Sequence, residues 1–165
     1  MATVEPLREQ LARVLAWEDA HTGFDAAVAE LPVALRGARP AVLPYSPWRL
    51  VEHLRVTQAD ILDFCRNPDY HERNWPDDYW PTGDAPPTAA AWDESVRAFA
   101  RDREALQALA RDPAIDLHAQ IPHGEGQTYL RELLLAADHA AYHLGELVVV
   151  RRLLGSWPPS RSEQT

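Results

Sequence analysis

The sequence predicts an all-α protein, a four-helix bundle with long crossover loops. Three observations predict it. Four stretches carry apolar residues at helical spacing, capping and breaking residues bound most of them, and nowhere does the chain alternate as a strand would. No internal repeat appears at a fixed period. A chain of 165 residues is about one domain, here residues 1–165, and can bury roughly two thirds of its unfolded surface without a disulfide or a metal as staple.

The first helix is expected from about Glu5 to Glu30, where Leu7, Leu11, Val14, Leu15, Phe24, Val28 and Leu31 keep the spacing, and Pro32, Gly37 and Pro40 close the segment. The second has a stronger start. Ser46 suits the N-cap and Pro47 the first helical position, and Leu50, Leu54, Thr57, Ile61 and Phe64 form a stripe that ends before Pro68. The segment DYHERNWPDDYWPTGDAPP then reads as a long ordered loop. Such a loop either covers something, with Trp75, Tyr79 and Trp80 as a pocket wall, or packs on the bundle side as a connection. The third helix is expected from about Thr88 to Arg111, with Trp92, Val96, Phe99, Leu106 and Leu109 inward and its many charges in water. A second irregular stretch, DPAIDLHAQIPHGEGQT, leads to the fourth helix, from about Thr128 to Leu154, ended by Gly155 and by Pro158 and Pro159.

That last helix is apolar nearly all round. Leu130, Leu133, Leu134, Ala137, Ala141, Leu144 and Val148 form one stripe, and Leu135, Ala136, Leu147, Val150 and Leu154 share the other side with His139 and His143. A helix of a four-helix bundle normally keeps one face in water, so the second stripe needs a cover. A homodimer through this helix or a loop laid over it would serve.

Composition removes several chemistries. All 16 basic residues are arginine, so no lysine is present for a Schiff base, a P-loop or a lysine general base. The single Cys65 leaves no internal disulfide and no cysteine cluster, so any metal must be held by nitrogen and oxygen. A net charge of −9 argues against a nucleic-acid partner, which would need clustered positive charge. No uninterrupted apolar run of membrane-spanning length exists and the N-terminus lacks a signal peptide's apolar core, so the expectation is a cytoplasmic protein with no membrane partner.

What remains points to a metal. His139 and His143 stand four residues apart in the fourth helix and project from one face, one turn apart, while His53 sits near the start of the second helix. Three imidazoles would leave a coordination position open, as catalytic rather than structural sites do. An imidazole set suits zinc, nickel, iron or copper and does not choose among them. By spacing alone, histidines on helices are more often packed or hydrogen-bonded core residues than ligands. The pattern is not H-E-x-x-H, because Ala140 follows His139 and no metalloprotease base is built in.

The blocks PYSPWRLVEHLRVTQADILDF, NPDYHERNWPDDYWP and IPHGEGQTYLRELLLAADHAAYHLGELVVVRRLLGSWP together resemble the DinB superfamily, the bacterial metal-binding four-helix bundles and not the DNA polymerase that shares the name. The resemblance covers nearly the whole chain. It implies a divalent ion, zinc or nickel most often, held by His53, His139 and His143 and completed by solvent, and it implies frequent dimers. Relatives include thiol-dependent transferases that use bacillithiol or mycothiol and a maleylpyruvate isomerase, so a small-molecule substrate and a low-molecular-weight thiol are the implied partners. One departure is visible, because Glu146 stands where Gln usually follows H-L-G. A carboxylate there can orient a ligand, act as a catalytic base, become a further ligand, or pair with a buried arginine. Asp138, Tyr142, His21 and His123 are weaker candidates for the site, each with a surface or packing role as the alternative. The expected function is a metal-dependent hydrolase or thiol transferase, and the alternative is a non-catalytic dimeric metal- or ligand-binding protein of stress responses.

Overall fold

A computed structural model describes residues 4–16 and 18–158, and among them the α-helices are α1 Val4–Val14, α2 Phe24–Val28, α3 Pro47–Arg66, α4 Ala91–Arg111 and α5 Tyr129–Leu153. No strand occurs among these residues, only an isolated bridge between Gln120 and Thr128. The architecture is all-α, as the periodicity predicts.

The caps lie where the sequence puts them. Ser46 is extended and its hydroxyl accepts from the Arg49 amide at 3.2 Å, with Pro47 opening α3. Thr128 does the same for the Arg131 amide at the start of α5. At the far end of α5, Gly155 turns left-handed (φ 69°), and the Gly155 and Ser156 amides reach back to the Arg152 and Arg151 carbonyls.

The first helix differs from the expectation. In place of one helix over Glu5–Glu30 there is α1, then an irregular segment, then the five-residue α2. The helical path ends at Val14, and Gly23, extended at φ −75° and ψ 170°, forms the N-cap from which α2 starts. The apolar periodicity bridges this break because Leu11 and Leu15 on one side and Phe24, Val28 and Leu31 on the other are all buried in the bundle.

Side-chain pairings give the helix directions. Ser95 meets Glu52, Gln58 reaches the Phe99 carbonyl and Arg66 the Ala105 carbonyl, so α4 runs parallel to α3. His53 meets His143 and Thr57 meets His139, so α5 runs antiparallel to α3. Glu9 pairs with Arg111 and Gln107 reaches the Ala12 carbonyl, so α1 is antiparallel to α4.

This arrangement explains the long loop. Consecutive parallel helices require the chain to return along the full length of α3, about 30 Å for 20 residues. The return segment does this as a strap laid along α3: Tyr70 lies against Asp60, Trp80 against His53, and the Asp84 carbonyl accepts from Ser46 at the α3 N-terminus.

The core has two lobes. Phe24, Trp48, Leu50, Leu54, Phe99 and Leu147 belong to one, and Leu11, Ile61, Leu106, Leu117, Ile121 and Leu133 to the other. Two buried arginines tie the bundle ends by donating to carbonyls, Arg8 to Ala110, Asp112 and Ile115, and Arg151 to Ala27, Ala29 and Ser156.

The two faces of α5 are not divided as the sequence suggests. Leu133 and Leu144 join Ala136, Ala140, His143 and Leu147 in the interior, and the outward side carries Leu134, Tyr142, Val149 and Leu153. The segment before α2 overhangs part of that outer side and leaves a cleft of about 300 Å³ against Leu134, Ala137 and Ala141. By length and composition α5 also meets the measure of a membrane-spanning helix, but in the bundle it packs along α3 with Glu132, His143 and Arg151 on its buried side.

Candidate metal centre

Antiparallel packing of α3 against α5 brings His53 opposite His139 and His143. Ring centroids are 4.9 Å apart for His53 and His139, 4.6 Å for His53 and His143, and 4.5 Å for the α5 pair. One nitrogen from each ring falls within 4.8 Å of the other two, and the His53 and His139 Nε2 atoms approach to 3.1 Å. Two imidazole nitrogens on a tetrahedral ion with bonds of about 2.0–2.1 Å stand about 3.3 Å apart, close to that spacing. His53 and His143 are buried and His139 is half-buried.

The remaining nitrogens fix the tautomers. His53 Nδ1 lies 2.8 Å from the Tyr79 carbonyl oxygen, which can only accept, so Nδ1 carries the proton. The Thr57 hydroxyl donates to the His53 carbonyl at 2.8 Å, so it accepts from His139 Nδ1 at 3.3 Å. His143 Nδ1 donates to Glu146 Oε2 at 2.7 Å. In His53 and His139 the Nε2 lone pair is then free, and the two Nε2 atoms face each other. Two lone pairs facing each other at 3.1 Å repel unless a cation lies between them. That donor set fits a divalent ion bound by imidazole, and the outer partners are those that ligating histidines use.

Electrostatics keeps the His53 and His139 rings neutral. Burial, opposed by the Tyr79 hydrogen bond, pushes His53 down to about 4. Burial and then the neighbouring imidazoles push His139 down to about 3. Both are therefore deprotonated at neutral pH, the form a metal requires.

The strap supplies the wall. Trp80 stacks on His53 with centroids 3.7 Å apart and planes 5° apart, and its edge meets His143 at 5.8 Å. Of the three aromatic residues expected to line a pocket, Trp80 alone lies on a histidine ring. Tyr79 contributes its carbonyl and turns its hydroxyl to Asp60, and Trp75 is exposed against Tyr79. Tyr142 is exposed with its ring edge on His143, a rim position. Glu146 pairs with His143 rather than with an arginine.

Other candidates fall elsewhere. His123 donates from Nε2 to the Phe64 carbonyl at the far end of α3, and His21 lines the cleft on the opposite side of α5 together with Asp138. Sequence reasoning missed Thr57 as a partner of His139, having read it as part of the α3 stripe. The available signal was a polar residue one turn after His53 in an otherwise apolar row.

The profile of the DinB superfamily matches residues 16–147, a span that holds all three histidines and Glu146. No curated protein and no solved structure matches the chain.

Proposed function

The chain belongs to the DinB superfamily, and from that premise we propose that it is a divalent-metal-dependent enzyme whose His53, His139 and His143 hold zinc or nickel, and in which water or a low-molecular-weight thiol attacks a small electrophile. The observation that carries the reading is the approach of one nitrogen from each of three rings to within 4.8 Å of the others, with each Nδ1 engaged by a neighbouring oxygen. A bound ion would supply Lewis acidity, lowering the pKa of water or a thiol or polarising a carbonyl.

The chain's own residues do the rest. The Tyr79 carbonyl, the Thr57 hydroxyl and the Glu146 carboxylate orient the rings, each accepting the Nδ1 proton of its histidine. Trp80 excludes water from one face of His53. Among the described residues no further His, Cys, Asp or Glu joins the three, which fits a site with coordination left for solvent or substrate. The chain does not supply a thiol nucleophile. Cys65 is buried and burial pushes its thiol up to about 12, so any reacting sulfur belongs to a small thiol.

The test is turnover of small electrophiles with water, bacillithiol or mycothiol by metal-loaded and metal-free protein. The reading requires turnover that depends on the metal and disappears in His53→Ala with helix content kept. Absence of turnover across the panel in protein that does hold metal refutes the catalytic part.

A second reading is a dimeric ligand-binding protein without catalysis. It is favoured by the outward apolar residues Leu134, Val149 and Leu153 of α5 and by the apolar cleft beside them. The proposed setting in either case is the cytoplasm, with no nucleic-acid partner for a chain of net charge −9.

A further inference from the structure

Asp60 lies seven residues after His53 on α3, so the two side chains leave the helix on nearly the same side, both beneath the strap. Its carboxylate is nearly closed off from solvent, with 12% of the side chain exposed. Among the described residues the side-chain partners of this carboxylate come from the strap. The Tyr79 hydroxyl donates to Oδ2 at 2.8 Å, the Tyr70 hydroxyl lies 3.3 Å from both oxygens, and the Arg73 guanidinium is 3.4 Å from Oδ1.

Tyr79 faces two ways. Its ring end is held by Asp60, and its backbone carbonyl accepts the His53 Nδ1 proton at 2.8 Å. The next residue, Trp80, covers the His53 ring nearly parallel to it at 3.7 Å. An in-plane hydrogen bond and a stacked face are the two constraints that fix an imidazole's rotation and tilt. Both come from consecutive residues of one strap, and Asp60 anchors the first of them to the same helix that carries His53.

We propose that Asp60 is a positioning residue for the metal centre: by accepting the Tyr79 hydroxyl it pins the strap so that the Tyr79 carbonyl and the Trp80 ring set the tautomer and plane of His53. This rests on the three-histidine reading above and adds to it a residue outside the immediate surroundings of the rings. Tyr70 is the internal control. It bonds the same carboxylate, at longer range, but touches no histidine of the triad.

The experiment uses Co²⁺ as probe with the full chain and its Tyr79→Phe, Asp60→Ala, Asp60→Asn and Tyr70→Phe variants. Co²⁺ affinity and the shape of the visible absorption bands are measured, together with the melting temperature of each metal-free protein and the nitrogen NMR shifts of His53. Tyr79→Phe and Asp60→Ala should weaken Co²⁺ roughly tenfold, the lower end of what outer partners of ligating histidines contribute. They should also change the bands and shift the metal-free His53 away from its Nδ1–H form. Asp60→Asn, which still offers an acceptor oxygen, should recover most of the affinity, and Tyr70→Phe should bind as wild type. Tyr79→Phe with wild-type affinity, bands and His53 shifts would overturn the proposal. So would losses that follow melting temperature equally in Tyr70→Phe and Tyr79→Phe, which would make Asp60 a stabilising contact only. If wild type takes up no Co²⁺, the metal reading itself fails and this inference with it, an outcome distinct from wild-type binding that the variants leave unchanged.

Discussion

Thr57→Val is the sharpest single change. Valine keeps the shape and the β-branch of threonine, so the position, buried at 6% exposure, stays filled. What disappears is one oxygen, which donates to the His53 carbonyl at 2.8 Å and accepts from His139 Nδ1 at 3.3 Å. The backbone carbonyl keeps its helical hydrogen bonding, and the hydroxyl's own net worth is about 1 kcal/mol. For a domain of this size that shifts the melting temperature of the metal-free protein by no more than about 4 °C. The metal site loses more, because His139 no longer has an acceptor that holds its proton on Nδ1 and its lone pair on Nε2. Removing an outer partner of this kind lowers metal affinity roughly 10- to 100-fold, about 1.4–2.7 kcal/mol. The assay is competitive titration of Zn²⁺ against a chromophoric chelator, with thermal melts of the metal-free samples. Thr57→Ser should restore affinity. Wild-type affinity in Thr57→Val would refute the tautomer reasoning for His139, and a loss matched by a large fall in melting temperature would reduce Thr57 to a packing residue.

Further outcomes follow from the same contacts. Glu146→Gln retains an oxygen acceptor for His143 Nδ1 and should hold metal within a few-fold of wild type, whereas Glu146→Leu should lose roughly tenfold in the same titration. The metal-free protein should lose stability in acid. His53 and His139 are held at about 4 and about 3 against 6.5 unfolded, so the unfolded chain takes up protons first as pH falls below 6.5. Their stabilisation is complete above that value and declines toward pH 3, by up to about 1.4 kcal/mol per pH unit for each imidazole; urea titrations from pH 7 to 4 that show no decline would contradict it. Arg151→Met strands the Ala27, Ala29 and Ser156 carbonyls and should cost about 3 kcal/mol or more, read as a fall of at least about 6 °C in melting temperature.

Much of the fold is written locally. Ser46 with Pro47, Thr128 and Gly155 mark helix ends through bonds to nearby backbone, and such signals survive without knowledge of the fold. The break before α2 was hidden because apolar periodicity records burial, and Leu15 and Phe24 are both buried whether or not the helix between them is continuous. The i,i+4 spacing exposes His139 and His143 as a pair, but nothing local ties His53 to them. The superfamily's sequence pattern made that link, and the antiparallel packing of α3 on α5 supplies its geometry. The outer partners were the least legible. A backbone carbonyl such as that of Tyr79 leaves no residue signature, and the reach of Asp60 to the strap depends on a parallel α3–α4 crossover that no short pattern encodes.

The central claim, that three histidines on α3 and α5 hold a divalent ion, is tested most directly by metal content. Wild type and His139→Ala, purified without an affinity tag of histidines, are analysed by mass spectrometry for metals and by circular dichroism on the same samples. About one equivalent of zinc or nickel in wild type, absent from His139→Ala with helicity kept, is the predicted result. No metal in either protein, even after incubation with both ions, would contradict the account and leave the triad as buried side chains of a helical bundle.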